Sequence, residues 1–277
     1  MEQVSAAESQ SSSWLRPGVA RALEAQVIPR LVARHRPEPV QQVTPSGARW
    51  LAGLALADDE TGLWHALTQL QQQGLTVEAL QLDWLGPAAA ELGRQWTADD
   101  CSFSDVTIGM VRLQCAARRL GRSEAAPAWL DTSPRAPRVL LAPVPGEQHG
   151  FGLALVADAF RRAGWDVTPA SPDASLTACV AAQRYDLVGL SVGSTARAPG
   201  VPALCADLRR ASRQRELGVL LGGPLFAIPG VPVLAAPWGA VAVALDAREA
   251  VARAAAWMTW RGGLPGAPPG VQNAAVG

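Results

Sequence analysis

Between Arg138 and Trp260 short, continuously apolar segments alternate with amphipathic ones, and this alternation restricts the fold more than any other feature of the chain. The apolar segments are RVLLAPVPG (Arg138–Gly146), WDVTPA (Trp165–Ala170), DLVGLSVGS (Asp186–Ser194), GVLLGG (Gly218–Gly223) and AVAVA (Ala240–Ala244). Between them lie FGLALVADAFRRAG (Phe151–Gly164), SLTACVAAQRY (Ser175–Tyr185) and VPALCADLRRA (Val201–Ala211), with a closing helix from Ala247 to about Trp260. Gly164 stands where a helix ends in a left-handed residue. Strands that are apolar on both faces must be covered on both faces, and parallel neighbours need a crossover between them. The sequence therefore predicts a parallel, doubly wound, Rossmann-like (flavodoxin-like) sheet over residues 138–260.

The upstream half has a different texture. Residues 1–13 are rich in Ser and Gln and predict a flexible terminus. Residues 14–46 hold one helix, with Leu15, Val19, Leu23, Val27 and Leu31 at helical spacing up to Ala33, and then a proline-containing linker. Residues 47–121 predict a helical bundle, with breaks at Ala57-Asp58-Asp59, Gly74 and Thr97-Ala98-Asp99-Asp100. Leu63, Leu67 and Leu70, then Val106, Met110 and Leu113, recur on one helix face. Asp99 and Asp100 read as a helix cap. Residues 122–137 form a second linker and 261–277 a loose tail.

Composition narrows the functional classes. About half of the 277 residues (49%) are apolar, enough for a core, and formal charge is zero, so no global attraction draws the chain to nucleic acid. Cys101, Cys115, Cys179 and Cys205 form no C-x-x-C pair, which predicts free, mostly buried thiols in a reducing compartment. No apolar run approaches the ~20 residues of a membrane span. The N-terminal MEQVSAAESQSSSW lacks a signal-peptide pattern, so the expectation is a soluble, cytoplasmic protein with no membrane partner. Ten Trp against one Tyr and four Phe suit either the wall of a cavity for a large flat ligand or an ordinary core.

In a doubly wound sheet, ligands bind beyond the carboxyl ends of the strands. Three features fall there. Pro145–Gly152 (PGEQHGFG) joins the first strand to its helix and carries Glu147, Gln148, His149, Gly150, Phe151 and Gly152. Ser191, Val192 and Gly193 end the third strand, and Gly222-Gly223 the fourth. A bare flavodoxin-like or response-regulator-like domain would carry His149 as an ordinary loop residue. His65 and His35, the other histidines, read as structural or exposed.

Taken together, these segments resemble the cobalamin-binding domain family, whose motif D-x-H-x-x-G is followed by S-x-L and then G-G. The resemblance implies that His149 offers an imidazole to cobalt, that Glu147 fixes its tautomer, and that Gly152 lets the helix start approach the corrin. It further implies that Ser191 and Gly222-Gly223 line the slot for the displaced nucleotide tail. Two positions depart from the pattern: Glu147 stands for Asp, and Gly193 for an apolar residue. Leu92–Gln114 resembles the four-helix cap of cobalamin photoreceptors and methyl carriers, with Trp96 at the position of the capping Trp. Val106-Thr107 stand where photoreceptors have Glu-His, so the upper-face histidine is absent.

The wording GEQHGFGLALVADAFRRAGWDV is similar to the AerR/PpaA group of regulators from photosynthetic proteobacteria, over about residues 48–258. This implies a cobalamin-binding, light-responsive antirepressor or coregulator, not an enzyme, acting through a DNA-binding transcriptional repressor of photosynthesis genes. The form implied is hydroxo-, aquo- or adenosylcobalamin, with a dark alkyl form held poorly and the photolysed form well. The alternatives are a corrinoid methyl carrier and a haem-binding redox sensor, since His149 could also ligate iron. Arg16, Arg21, Arg30, Arg34 and Arg36 make the first helix basic, but no second recognition helix follows, so DNA contact is expected only indirectly.

Overall fold

The computed structural model describes residues 44–261 apart from 58, 124–135, 148–149 and 235. The expected N-terminal helix, both flexible ends and most of the second linker lie outside the described residues. The helical half and the sheet belong to one compact unit, Val43–Gly277.

The helical half opens with α1 (Pro45–Leu56), two residues before the expected start, because Thr44 accepts a hydrogen bond from the Gly47 amide at 3.2 Å and Pro45 fits the first turn. Asp59 caps α2 (Glu60–Gln72) by accepting from the Thr61 amide at 2.9 Å. Gly74, at φ +98°, ends that helix as expected. After α3 (Val77–Ala79) the chain widens into a π-helical turn, Leu80–Leu85, and continues as α4 (Gly86–Thr97). The last helix of this half is α5 (Phe103–Ser123).

The acidic pair between α4 and α5 does cap a helix, but at the C-terminal end of α4 and through its backbone. Asp99 adopts φ +57° and the Asp100 amide bonds back to the Gln95 carbonyl at 2.8 Å, so this turn finishes α4. Ser102 caps α5 instead. Its hydroxyl accepts from the Asp105 amide at 3.2 Å, while the Asp105 carboxylate accepts from the Ser102 amide at 3.0 Å.

The sheet consists of β1 (Arg138–Pro143), β2 (Asp166–Pro169), β3 (Leu187–Ser191), β4 (Gly218–Gly222) and β5 (Ala242–Val243). All pairings are parallel, in the order β2-β1-β3-β4-β5, which is the flavodoxin-like arrangement. The crossovers are α6 (Phe151–Arg162), α7 (Leu176–Ala182) and α8 (Val201–Ala211), with a short α9 (Val231–Leu234) before β5 and α10 (Ala247–Arg261) closing the chain. Several strands are shorter than their apolar runs. Thus β3 ends at Ser191, where the Val192 amide makes the last ladder bond, to the Gly222 carbonyl at 2.8 Å, before a 3-10 turn at Thr195–Gly200.

Strand side chains alternate between two covered faces. Leu140, Val188 and Val219 pack with Val180, Cys205 and Phe226 on one side. Val139, Leu141, Leu187 and Leu220 pack with Phe160, Ala254 and Trp257 on the other. A third core fills the helical half around Leu51, Leu67, Leu80, Leu92 and Leu113, and it also takes in Phe151 and Leu155 from α6. The four cysteines are free, but only Cys205 is buried, correcting the expectation of mostly buried thiols. Cys115 is exposed because it continues an outward-facing stripe of α5 that includes Phe103 and Val111. Among the described residues no helix is long and apolar enough to cross a membrane.

Candidate cofactor site

At the carboxyl ends of β1, β3 and β4 a cavity of about 520 Å³ opens between the sheet, α6, α10 and the π turn of the helical half. Leu141, Gly189, Ser191, Leu220 and Gly222 share the face that forms its floor. Gly152 and Leu155 of α6 form one wall, and Asp246, Ala247 and Arg248 at the start of α10 another. Leu82, Asp83 and Gly86 reach in from the helical half.

Four expected site residues therefore converge on one slot: Gly152, Ser191, Gly222 and Gly223. Their glycines serve different ends. At Gly150 and Gly152 an added Cβ would meet nothing within 4 Å among the described residues, so packing does not require glycine there and room is left above the helix start. Gly223 is fixed by the fold itself, with φ +105° and a Cβ that would lie 2.7 Å from the Val192 carbonyl oxygen. At Gly222 a Cβ would approach the Ala244 carbonyl oxygen to 3.2 Å.

The two departures from the motif meet in space. Glu147 is buried (5% exposed), and its carboxylate occupies the place of a side chain at Gly193, where a Cβ would lie 1.9 Å from Oε2. The extra methylene of Glu147 is accommodated because residue 193 has no side chain. Gln148 and His149 lie outside the described residues.

Other expected site residues sit elsewhere. Val192 is fully buried in the sheet core and is not on the slot. Phe151, at the first position of α6, is buried in the core of the helical half and joins the two parts of the molecule. Trp96, half exposed on α4, lies edge-on to Phe103 with ring centroids 6.4 Å apart, away from the slot lining.

Four charged groups escaped the sequence reading. The Arg197 guanidinium lies over Gly146 (φ +81°), where a Cβ would meet Nη1 at 2.5 Å. Arg248, on the slot, donates from Nη1 and Nη2 to the two Asp83 carboxylate oxygens at 2.8 Å each, and from Nε to Glu78 at 2.6 Å. The Asp83 carboxylate, and then Glu78, raise the Arg248 pKa above its ordinary value. The one available signal was its position: a cation in the first turn opposes the helix dipole and therefore calls for acidic partners.

A parallel sheet with a slot at its carboxyl edge, set against a helical cap, defines a ligand-binding protein of the capped flavodoxin-like class. Residues 137–255 match the B12 binding domain. A Rhodobacter capsulatus protein, "Uncharacterized 20.5 kDa protein in bchF-crtJ intergenic region", is 31% identical over 153 residues, spanning 54% of this chain and 77% of its own. The chain belongs to the B12-binding domain family. Its fold is similar to the Methanosarcina barkeri monomethylamine corrinoid protein, with a TM-score of 0.57 and 16% identity over 73% of this chain and 93% of that one.

Proposed function

We propose that the chain binds cobalamin between its helical cap (residues 47–121) and the carboxyl edge of its sheet domain (138–260). In this reading it uses the bound cofactor as a light-responsive signal and is a coregulator, not a catalyst. The observation that carries the reading is the glycine-lined slot at Gly152, Ser191, Gly222 and Gly223, placed at the carboxyl ends of the strands, where doubly wound sheets bind their ligands, within a region that matches the B12 binding domain. His149 is assigned as the lower cobalt ligand and buried Glu147 as the group that holds its other ring nitrogen. Gln148, Gly150 and Phe151 complete the loop, while Val192 and Gly193 support the site from outside the slot, Val192 by packing in the sheet core and Gly193 by leaving room for the Glu147 carboxylate. Trp96 is assigned to the upper face. The light sensitivity would come from the corrinoid, whose alkyl forms lose their cobalt–carbon bond on illumination and leave the hydroxo or aquo form that the site would hold.

The regulatory part is supported by the Rhodobacter relative, which lies between bchF and crtJ. The output is assigned to a DNA-binding repressor of photosynthesis genes, with DNA touched only through that partner.

The test is the absorption spectrum of the purified protein mixed with hydroxocobalamin and, separately, haem. The expected result is one bound corrinoid whose histidine-ligated spectrum is lost in His149→Ala, with no haem spectrum. Unchanged corrinoid binding in His149→Ala refutes the ligand assignment, and a stable haem complex alone refutes cobalamin as the cofactor. Equal affinity for dark methylcobalamin and for the photolysed cofactor rejects the light-responsive reading.

A further inference from the structure

Arg248 stands at the mouth of the slot and is shared between its two sides. It opens α10 on the sheet side, yet its fork is filled by Asp83 from the π turn of the cap, with both N–H···O distances 2.8 Å. Glu78, one turn earlier in the cap, takes the remaining Nε at 2.6 Å. The Arg248 side chain is 43% exposed, so water and ligands reach it, whereas Asp83 is only 18% exposed and Glu78 is 41% exposed.

Two properties make this pair exchangeable. A guanidinium fork binds carboxylate and phosphate oxygens with the same two-point geometry, so one anion displaces another. The guanidinium is reached by solvent on its open side, so an incoming anion meets it directly and replaces one carboxylate contact at a time. The same π turn is anchored independently on its other side. Gln81 Nε2 donates to the Ala117 carbonyl and to Asp158 on α6, both at 3.0 Å, and Arg162 donates to Gln81 Oε1 at 2.6 Å. Losing the Asp83 contact therefore frees one edge of the turn without detaching the cap.

We propose that Arg248 is an exchange cation, which takes the phosphodiester of the nucleotide tail in the slot and gives up Asp83 and Glu78 when it does so. Seating of the tail is thereby transmitted to the cap at Leu80–Leu85, and discrimination between corrinoids with and without a nucleotide tail resides in Arg248. This inference rests on the cobalamin reading and specifies how that site signals.

The experiment compares hydroxocobalamin with dicyanocobinamide, a corrinoid lacking the nucleotide and its phosphate, by equilibrium dialysis on the full chain. Asp83→Asn removes the competing carboxylate and is expected to tighten hydroxocobalamin by about twofold to fivefold. Arg248→Met is expected to weaken it by about tenfold. Cobinamide affinity should stay constant in both variants, which also reports that they are folded. In the wild type, deuterium exchange of the 80–86 segment should rise with hydroxocobalamin and not with cobinamide. An unchanged cobalamin-to-cobinamide affinity ratio in either variant overturns the exchange role alone. Failure of the wild type to bind either corrinoid overturns the cobalamin reading and this inference with it.

Discussion

An added Cβ at Gly193 would lie 1.9 Å from Oε2 of Glu147, closer than nonbonded heavy atoms come, so neither residue can be understood singly. The departures from the D-x-H and S-x-L patterns compensate each other: the longer acid consumes the volume of the missing apolar side chain. Gly193→Val should destabilise the protein by about 1–3 kcal/mol, the usual cost of overpacking. Glu147→Asp combined with Gly193→Val should recover more than half of that loss. Thermal unfolding of the two single variants and the double variant checks this, and additive losses would show that the two positions are independent. The motif residues themselves were legible in the sequence, and so were both departures. Their compensation was not, because residues 147 and 193 meet only once β1 and β3 pair. The same holds for Val192, which the motif grouped with the ligand residues. The Val192 side chain turns into the sheet core, opposite the face that carries Ser191.

Among the elements, the π turn at Leu80–Leu85 links the most parts of the molecule. Its wide spacing sends Gln81 into the contact with α6 and Asp83 out to Arg248. Gln81 is fully buried, and its Oε1 is the acceptor seen for the Arg162 guanidinium among the described residues, while Arg162 Nε and Nη2 are buried without a hydrogen-bond partner. Gln81→Leu leaves that guanidinium buried with no acceptor, and should cost about 1–3 kcal/mol. Replacing both residues, Gln81→Leu with Arg162→Leu, should cost less than Gln81→Leu alone, because no buried donor is then stranded. Denaturant titration of the single and double variants measures the difference, and a double variant less stable than Gln81→Leu contradicts it. Element order and type were legible, since apolar runs, Gly74 and Gly164 mark their own boundaries. A π turn has no such mark: nothing in Leu80–Leu85 distinguishes it from a plain helix, and the partners of Gln81 and Asp83 lie on elements far away in the chain. Which helix the acidic turn caps was hidden for a related reason. Asp99 and Ser102 are both good capping residues, and only the left-handed backbone at Asp99 assigns it to the preceding helix.

At the scale of the whole molecule, cap and sheet share a core. Phe151 and Leu155 leave α6 on the side opposite Ala157 and Phe160, and are buried among Leu80, Leu85 and Leu113 rather than against the strands. The sequence marked α6 as an amphipathic helix without showing that a second of its faces meets the cap. Because these side chains belong to α6, the cap cannot lift off the sheet without exposing them, and the two parts should unfold in one cooperative transition. Phe151→Ala removes the larger of the two shared side chains and should cost about 3–5 kcal/mol. It should also separate a cap transition, at lower temperature, from that of the sheet. Hydroxocobalamin at about one hundred times its dissociation constant adds ~2.7 kcal/mol to whatever unfolds with the binding site. In the wild type it should therefore raise the single transition. In Phe151→Ala it should draw the separated cap transition back toward that of the sheet, because the ligand lies between them. Differential scanning calorimetry with and without hydroxocobalamin reads both effects. A ligand that stabilises the sheet transition of Phe151→Ala and leaves the cap transition in place would mean that the cap takes no part in binding.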